Sequence, residues 1–391
     1  MNCIIVAIGY NRPNSLRRLL LSLENAHYHN SAVDLVVSID YSAAQDDVVS
    51  AISDFVWHHG SYQVRCQERR MGLRTHVLSC GDLVENYDLL IMLEDDLVVS
   101  PEFFTYAINV AAFYCNHPKI AGISLYKHES HPNLGRPFVP LCNGFDVYLM
   151  KFAQSWGQCW TKDMWLSFRE WYVENESRDL SEGALLPNYI AEWNRQSWLK
   201  YFMRYITEKE LYFVYPYQSL STNVSEAGEH NEAAKTDFQV PILFGKKDYR
   251  FPAFDEAVRY DVFFEREDIC ANLFPEFHGK KILDLYGTRT TYDGADYVIS
   301  TRALPYVSIR GIKMKYRPME VNLLFPEDGN DIHVYDISRS DKPGREETVG
   351  LIRYDVRAMP WRSLLRLGLF GLKQGIENRC RRMCQRVLRK L

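Results

Sequence analysis

The chain has 391 residues, enough for two or three domains at about 150 residues each. Hydrophobic residues make up 47% and charged residues 25%, which excludes a disordered, collagen-like or multi-span membrane chain. A formal net charge of −4 excludes whole-molecule binding to nucleic acid through a general basic surface. Aromatic residues reach 14%, compatible with stacking on sugars or bases and equally with filling a large core.

Residues 4–8 are a short apolar run that predicts a buried strand. Asn11, Arg12, Pro13, Asn14 and Ser15 break it and offer helix caps, and Leu16, Leu19, Leu20 and Leu23 follow at helical spacing. Strands are expected over 34–40, 62–67, 88–93 and 120–125, with helices over 72–85 and 101–114. This alternation predicts an α/β fold, Rossmann-like, with a mostly parallel sheet and helices on both faces. Ligands of such sheets bind beyond the carboxyl ends of the strands, so Asn11, Asp40 and Glu94 to Asp96 should share one rim.

The texture changes twice more. Residues 140–235 are dense in aromatics and still helical, and short β-rich segments separated by Gly, Pro and Asp follow from 236 to 357. The expected organisation is therefore an α/β domain over 1–235, a β-rich accessory region over 236–357 and a basic amphipathic helix over 358–391. From 361 onward there are nine basic residues and one acid, Glu377, a net charge of +8. Trp361, Leu365, Leu369, Leu372 and Ile376 recur at helical spacing. A basic amphipathic helix with an aromatic at one end suits an anionic membrane surface; the alternatives are a terminal helix docked on its own protein and, more weakly, a nucleic-acid contact.

The nine cysteines show no zinc or thioredoxin spacing, and their odd number argues against a disulfide framework. With no secretory leader and no span of about 18 apolar residues, the expected location is cytoplasmic, peripheral on the inner face of a membrane.

Three acids in a row, Glu94, Asp95 and Asp96, end an apolar strand. Adjacent carboxylates repel one another unless a cation compensates. Hard divalent ions such as Mn²⁺ or Mg²⁺ take carboxylate oxygens and bridge to substrate phosphates. The bland alternative is an acidic surface turn. There is no glycine-rich dinucleotide fingerprint, Walker A loop, HExxH or GxSxG, so hydride transfer, NTP-driven phosphoryl transfer and serine hydrolysis lose ground.

The segment 7–13 with 16–19 resembles the opening of GT-A fold nucleotide-sugar glycosyltransferases. Residues 93–104, an acidic triplet followed by Pro101-Glu102-Phe103-Phe104, are similar to the metal-binding segment of the N-acetylglucosaminyltransferase I family, and Arg74-Thr75-His76 resembles its nucleotide-side helix. Bacterial polysaccharide (family 2-like) glycosyltransferases share these features, together with a Trp-Gly segment, here 155–160, and a Gly-x-His segment, here Gly228-Glu229-His230. The resemblance covers about residues 1–232.

It implies a metal-dependent, inverting enzyme. The donor is a nucleotide-diphosphate sugar, UDP-linked in the first instance, and the acceptor a glycan or lipid-linked glycan of bacterial surface polysaccharide. Asp96 is the implied metal ligand, and His230 in the Gly-x-His segment is a candidate contact for the metal or the diphosphate, a structural histidine being the alternative. Glu94 and Asp95 hold ribose or sugar, Asp40 meets the base, and Asn11, Arg12 and His76 line the nucleotide pocket. Ala191-Glu192-Trp193-Asn194-Arg195 matches the family's Asp-Asp-Trp-x-Arg only in part and makes Glu192 the implied catalytic base, with Glu229 as runner-up. Trp156 and Trp160 offer stacking faces for a sugar, core packing being the simpler reading. Two other functions fit less well. A sugar nucleotidyltransferase would want a phosphate loop that residues 9–13 do not provide. A catalytically silent nucleotide-sugar or glycan-binding module is the alternative from another class.

Overall fold

The computed structural model describes residues 1–180, 186–224, 237–344, 348–356 and 359–388. Residues 1–344 form one compact unit and 345–391 a second.

The first unit is built on a nine-stranded sheet flanked by helices, as the alternation predicts. Strand β1 (Cys3–Gly9) is buried along its whole length. Pro13 opens helix α1 (Pro13–Glu24), whose Leu16, Leu19, Leu20 and Leu23 form the buried face. Next come β2 (Val33–Ile39), α2 (Gln45–Ala51), β3 (Tyr62–Cys66) and α3 (Leu73–Gly81). The helix expected over 72–85 is thus shorter, because residues 82–86 tighten into a 3₁₀ turn. Then follow β4 (Leu89–Glu94), β5 (Leu97–Val99), α4 (Phe103–Tyr114) and β6 (Ile120–Ser124).

The aromatic-rich part contributes β7 (Val147–Met150), β8 (Gln158–Thr161), α5 (Lys162–Asn175), the short α6 (Asn188–Ala191), α7 (Trp198–Glu208), β9 (Tyr212–Pro216) and β10 (Ser221–Asn223). Strand β11 (Arg259–Tyr260) completes the large sheet, whose order is β11-β7-β9-β6-β8-β4-β1-β2-β3. A separate four-stranded sheet, order β12-β13-β15-β14, holds β12 (Lys281–Asp284), β13 (Tyr297–Ser300), β14 (Tyr306–Ile312) and β15 (Ile332–Ser340). A last helix of this unit, α8 (Val321–Leu324), precedes β15.

The strand order positions the site. From β1 the chain winds outward through β2 and β3, then returns to pair β4 on the other side of β1. All three pairings are parallel. The chain therefore reverses its winding between β1 and β4, and the carboxyl ends of these two strands flank the crevice where ligands of open α/β sheets bind. Register places Ile8 opposite Glu94, so the residues after Gly9 and after Glu94 emerge side by side. Beyond β4 the sheet is mixed. Strand β8 runs antiparallel between β4 and β6, which restores β6 to the direction of β4.

The second unit, described by itself, consists of α9 (Thr348–Val356) and α10 (Trp361–Leu388). Among the described residues no helix is long and apolar enough to cross a membrane.

Candidate functional site

The two turns that leave β1 and β4 meet through one side chain. Arg12 donates to a carboxylate oxygen of Asp95 in a short ion pair and, through Nη1, to Asp96 Oδ2 at 3.0 Å. A guanidinium offers five donors in a planar fork, so one arginine can serve two carboxylates. Asp95 also accepts from the backbone N–H of Tyr10. Although burial disfavours its charge, Asp95 and Asp96 hold the Arg12 guanidinium above its ordinary pKa.

The three acids are not equivalent. Burial pushes the Glu94 carboxyl up to about 8, with Asp96 and Asp95 adding repulsion and Arg12 and a hydrogen bond from Ser155 opposing it. This shift favours the protonated form of Glu94 relative to an ordinary glutamate. Burial raises Asp95 to about 6 against the pull of Arg12. Asp96 uses Oδ2 for Arg12, while its Oδ1 is buried without a hydrogen-bond partner.

That oxygen bears on the expected metal. Among the described residues no three His, Cys, Asp or Glu side chains are grouped to hold an ion. Mn²⁺ or Mg²⁺ commonly needs only one or two carboxylates when substrate phosphates and water complete the shell. A carboxylate with an unused buried oxygen at a ligand crevice fits that mode. The candidate metal or diphosphate contact, His230, and the alternative base, Glu229, lie outside the described residues. The backbone leading toward them is tied to the acids: β10 pairs with β5, and Val224 N donates to Asp96 O at 2.8 Å.

The other expected nucleotide residues fall on the same rim or just beneath it. Asn11 is exposed between β1 and α1. Asp40 is buried and accepts from three backbone amides, Tyr41 N, Met71 N and Gly72 N, at 2.8 to 3.0 Å. It thereby fastens the β3–α3 turn, in which Gly72 adopts a φ of +78° that favours glycine. This turn carries Arg70, whose guanidinium lies 5.3 Å from the centroid of the Tyr10 ring. The sequence reading did not single out Arg70; a basic pair just after a strand and just before Gly72 was its available signal. His76 is buried on α3 with Nε2 2.7 Å from Ser38 Oγ, and burial lowers its pKa. It supports the floor of the rim from below. Arg74 ties α3 to α7 through Tyr201 Oη at 2.9 Å.

The Pro-acid-Phe-Phe segment has a packing account. Phe103 and Phe104 are core residues, and Glu102 Oε1 is 2.8 Å from His27 Nδ1. The Trp-Gly segment turns the chain into β8. Gly157 has a φ of +94°, and a Cβ there would lie 2.9 Å from Ser221 Oγ. Trp156 packs on Tyr126 and Phe238, with centroids 4.8 and 4.5 Å away. Trp160 is fully buried against Trp165, Trp198 and Phe202, so it is a core residue rather than a stacking platform.

Glu192 is exposed at the carboxyl end of α6, and its carboxylate makes no hydrogen bond or ion pair among the described residues. Its backbone is fixed by the buried Lys200, whose Nζ donates to Ala191 O at 2.5 Å and to Trp193 O at 2.9 Å. No described contact links it to Arg12 or the three acids.

Two histidines near the carboxyl end of β6 also drew no notice in the sequence. His128 and His131 are 2% and 0% exposed. Burial lowers their pKa values to about 3 and about 4, with His131 adding to the effect on His128 and Arg136 to that on His131. A cavity of about 630 Å³ lies away from this rim, where the chain enters β2 and β3. It is lined in part by His27, His29, His58 and His59, each already engaged by a described partner.

No family model and no curated protein matches the chain. Among solved structures, S. aureus TarS 1–349 in complex with UDP-GlcNAc is similar with a TM-score of 0.39 at 13% identity, covering 59% of this chain and 60% of that one. The mannosyltransferase PcManGT from Pyrobaculum calidifontis, in complex with GDP-Man and Mn²⁺, gives 0.30 at 12% identity over 41% and 45% of the two chains. A cytidylyltransferase from Leptospira borgpetersenii serovar Hardjo-bovis gives 0.28 at 11% identity over 53% and 71%. The likeness thus spans about three fifths of the TarS chain.

The buried histidines set a pH dependence. Both folded pKa values lie below the ordinary 6.5, so between pH 6.5 and about 4 the unfolded chain binds the extra protons. Stability should be fully present above pH 6.5 and fall as pH drops through this window. The His131 shift corresponds to about 3 kcal/mol. Urea unfolding at pH 7 and pH 4.5 should show this loss, and His131→Phe should reduce the slope; equal slopes for the two proteins would refute the assignment.

Proposed function

We propose that the protein is a metal-dependent, inverting glycosyltransferase of GT-A type that uses a nucleotide-diphosphate sugar, UDP-linked in the first instance. The observation that carries the reading is the clustering of Arg12 with Glu94, Asp95 and Asp96 at the β1/β4 reversal. An acidic cluster with one unused carboxylate oxygen and an arginine suits a divalent ion and a diphosphate together. The motif resemblance over residues 1–232 supports the same reading. The weak overlaps with solved structures are not needed for it.

The roles follow from placement. Asp96 would hold Mn²⁺ or Mg²⁺, and His230 is proposed as a second ligand. A bound cation supplies Lewis-acid stabilisation to the leaving diphosphate. Arg12, released from Asp96, faces the phosphates. Asn11 lines the nucleotide pocket, while Asp40 and His76 shape it through the β3–α3 turn and the β2 floor. Glu94 and Asp95 meet ribose or the sugar, a protonated Glu94 being able to donate to a hydroxyl. Glu192 is proposed as the general base that takes the acceptor hydroxyl proton. The transferred group is proposed to be a hexosyl or N-acetylhexosaminyl unit, and the acceptor a glycan or lipid-linked glycan of bacterial surface polysaccharide.

Helix α10 supports a cytoplasmic site of action at the inner face of a membrane. Trp361, Leu365, Leu369, Leu372 and Ile376 are exposed beside Arg362, Arg366 and Lys373. This combination matches an anionic lipid surface, where apolar burial and basic charge act together.

Three experiments test these proposals. Calorimetric titration of UDP and GDP, with and without Mn²⁺, should show metal-dependent binding of UDP to wild type that Asp96→Ala abolishes. A folded wild type that binds neither nucleotide would remove the reading. Glu192→Gln should keep UDP binding while slowing metal-dependent turnover of the donor by about 10²- to 10⁴-fold; unchanged turnover would exclude Glu192 as the base, and no turnover by wild type would favour a silent binding module. In co-sedimentation with phosphatidylglycerol-containing liposomes, truncation after Pro360 should release the protein while sparing UDP binding, and undiminished retention would sink the anchor.

A further inference from the structure

Buried polar atoms are almost always hydrogen-bonded, because an unpaired one forfeits its hydration without return. Such exceptions also occur singly in the core, at Tyr106 Oη and Tyr148 Oη for example, but three gather beyond the carboxyl end of β6: His128 Nε2, His131 Nε2 and Tyr189 Oη are buried and have no hydrogen-bond partner among the described residues. The His131 and Tyr189 rings meet edge-on with centroids 5.9 Å apart. His128 is near enough to His131 to feel its charge.

The tautomer of His131 is fixed by its neighbours. Backbone Asn133 N and Leu134 N both donate toward His131 Nδ1, at 3.3 and 3.4 Å. Nδ1 is therefore the acceptor, and Nε2 carries the proton in the neutral ring. His131 thus presents an unused N–H beside an unused tyrosine hydroxyl. An aromatic wall surrounds the group. Phe264 lies 4.7 Å from His131 and 5.3 Å from His128, and Tyr286 lies 5.2 Å from His131. Phe264 holds a φ of +67° to be there, a costly backbone state for a bulky residue.

The cluster belongs to the same edge of the sheet as the acids. Strand β6 runs parallel to β4, so the loop bearing His128 and His131 emerges on the side of Glu94 to Asp96. Ser155 bonds Glu94, and the adjoining Trp156 lies 5.9 Å from His128. Across the cluster, Tyr189 and Glu192 are three residues apart on one turn, which puts them on one face.

We infer that His131 and Tyr189, backed by His128, form a subsite that recognises the hydroxyl groups of a sugar ring. The inference rests on the transferase reading and adds to it the residues that would read the sugar rather than the nucleotide. A donor N–H and a hydroxyl, which can donate or accept, match the oxygens of a polyol, and the aromatic wall matches its C–H faces. Because the rings of Tyr189, Phe264 and Tyr286 cover His131, entry requires the four-residue α6 to lift against its ties to Lys200. The sugar belongs either to the donor or to the acceptor.

The test uses the full chain as wild type, Tyr189→Phe and His131→Phe. One arm titrates UDP, UDP-glucose and UDP-GlcNAc; the other titrates glucose and N-acetylglucosamine into UDP-saturated protein. Each variant should leave UDP affinity unchanged and weaken the sugar-bearing ligand about 3- to 10-fold, the effect of one neutral hydrogen bond. Loss confined to the UDP-sugars assigns the subsite to the donor, and loss confined to the free sugars assigns it to the acceptor. Tyr189→Phe should also keep or raise the melting temperature, since its hydroxyl bonds nothing in the folded chain. Unchanged sugar affinities in both arms, a parallel loss of UDP affinity, or a lower melting temperature for Tyr189→Phe would overturn the inference. If wild type fails to bind UDP, the transferase reading falls by itself. Monosaccharide titration of the nucleotide-free protein then decides the subsite, and no saturable binding there overturns it.

Discussion

Everything on the rim depends on the need to keep three adjacent carboxylates together at the end of a buried strand. Strand β4 is apolar through Leu93, and Glu94, Asp95 and Asp96 then emerge in one short turn. Mutual repulsion among them is large where water is scarce. It is met from the neighbouring parallel strand. Strand β1 ends one register step away, Pro13 forces the chain into α1, and Arg12 is left facing two of the three acids. A lysine would bring a point charge to one of them; the guanidinium fork reaches both. Glu94, which Arg12 does not bond, is raised further than Asp95, which it does.

The rest of the rim is hung from elements fixed by that pairing. Asp40 ends β2 and spends its carboxylate on the β3–α3 turn, which delivers Arg70 beside Tyr10. On the other flank the antiparallel β8 separates β4 from β6. Its entry through Gly157 brings Ser155 to Glu94 and Trp156 to the loop after β6. The basic turn, the acids, the Trp-Gly corner and the histidine loop therefore follow one another along a single edge. The charged groups cluster at the β1/β4 crevice and the aromatic groups lie beyond β8. On the proposed reading, this order would hold a charged diphosphate and an apolar-faced sugar end to end.

Much of this was legible in the chain because the relevant signals are local. Buried parallel strands read as apolar runs, α1 shows its leucine periodicity, and the acidic triplet stands at a strand end. What the sequence concealed depends on contacts between distant residues. The segment 158–161 gives no sign of running antiparallel, and Trp160 reads the same whether it stacks on a ligand or, as here, fills the core among Trp165 and Trp198. Asp40 could be placed on the rim, but its capture by Met71 and Gly72 amides could not be foreseen from spacing. His76 was legible as a helix residue near the rim and not as a buried partner of Ser38. His128 and His131 are isolated histidines in a loop; their character appears only when Tyr189 and Phe264 arrive from far along the chain.

Unpaired buried polar atoms occur in the core of the unit and also gather along the rim. α1, α4 and the central strands bury mainly apolar side chains, although Tyr106 Oη, Tyr148 Oη, Gln158 Oε1 and Trp160 Nε1 are left without a hydrogen bond there, while the engaged acid Glu102 is matched by His27 and Thr105. Along the rim several such costs lie close together. A protonatable Glu94, an unused Asp96 oxygen, two neutral buried histidines, an unpaired tyrosine hydroxyl and a left-handed phenylalanine all lie between the β1/β4 crevice and α6. Each lowers stability relative to an apolar replacement. A fold carries such costs in one place when the groups acquire partners on binding, since the binding free energy then includes the hydrogen bonds that folding left unmade. The three acids alone would be equally consistent with a charged surface turn. Their continuation into buried, unmatched polar groups supports the site proposed at this edge of the sheet.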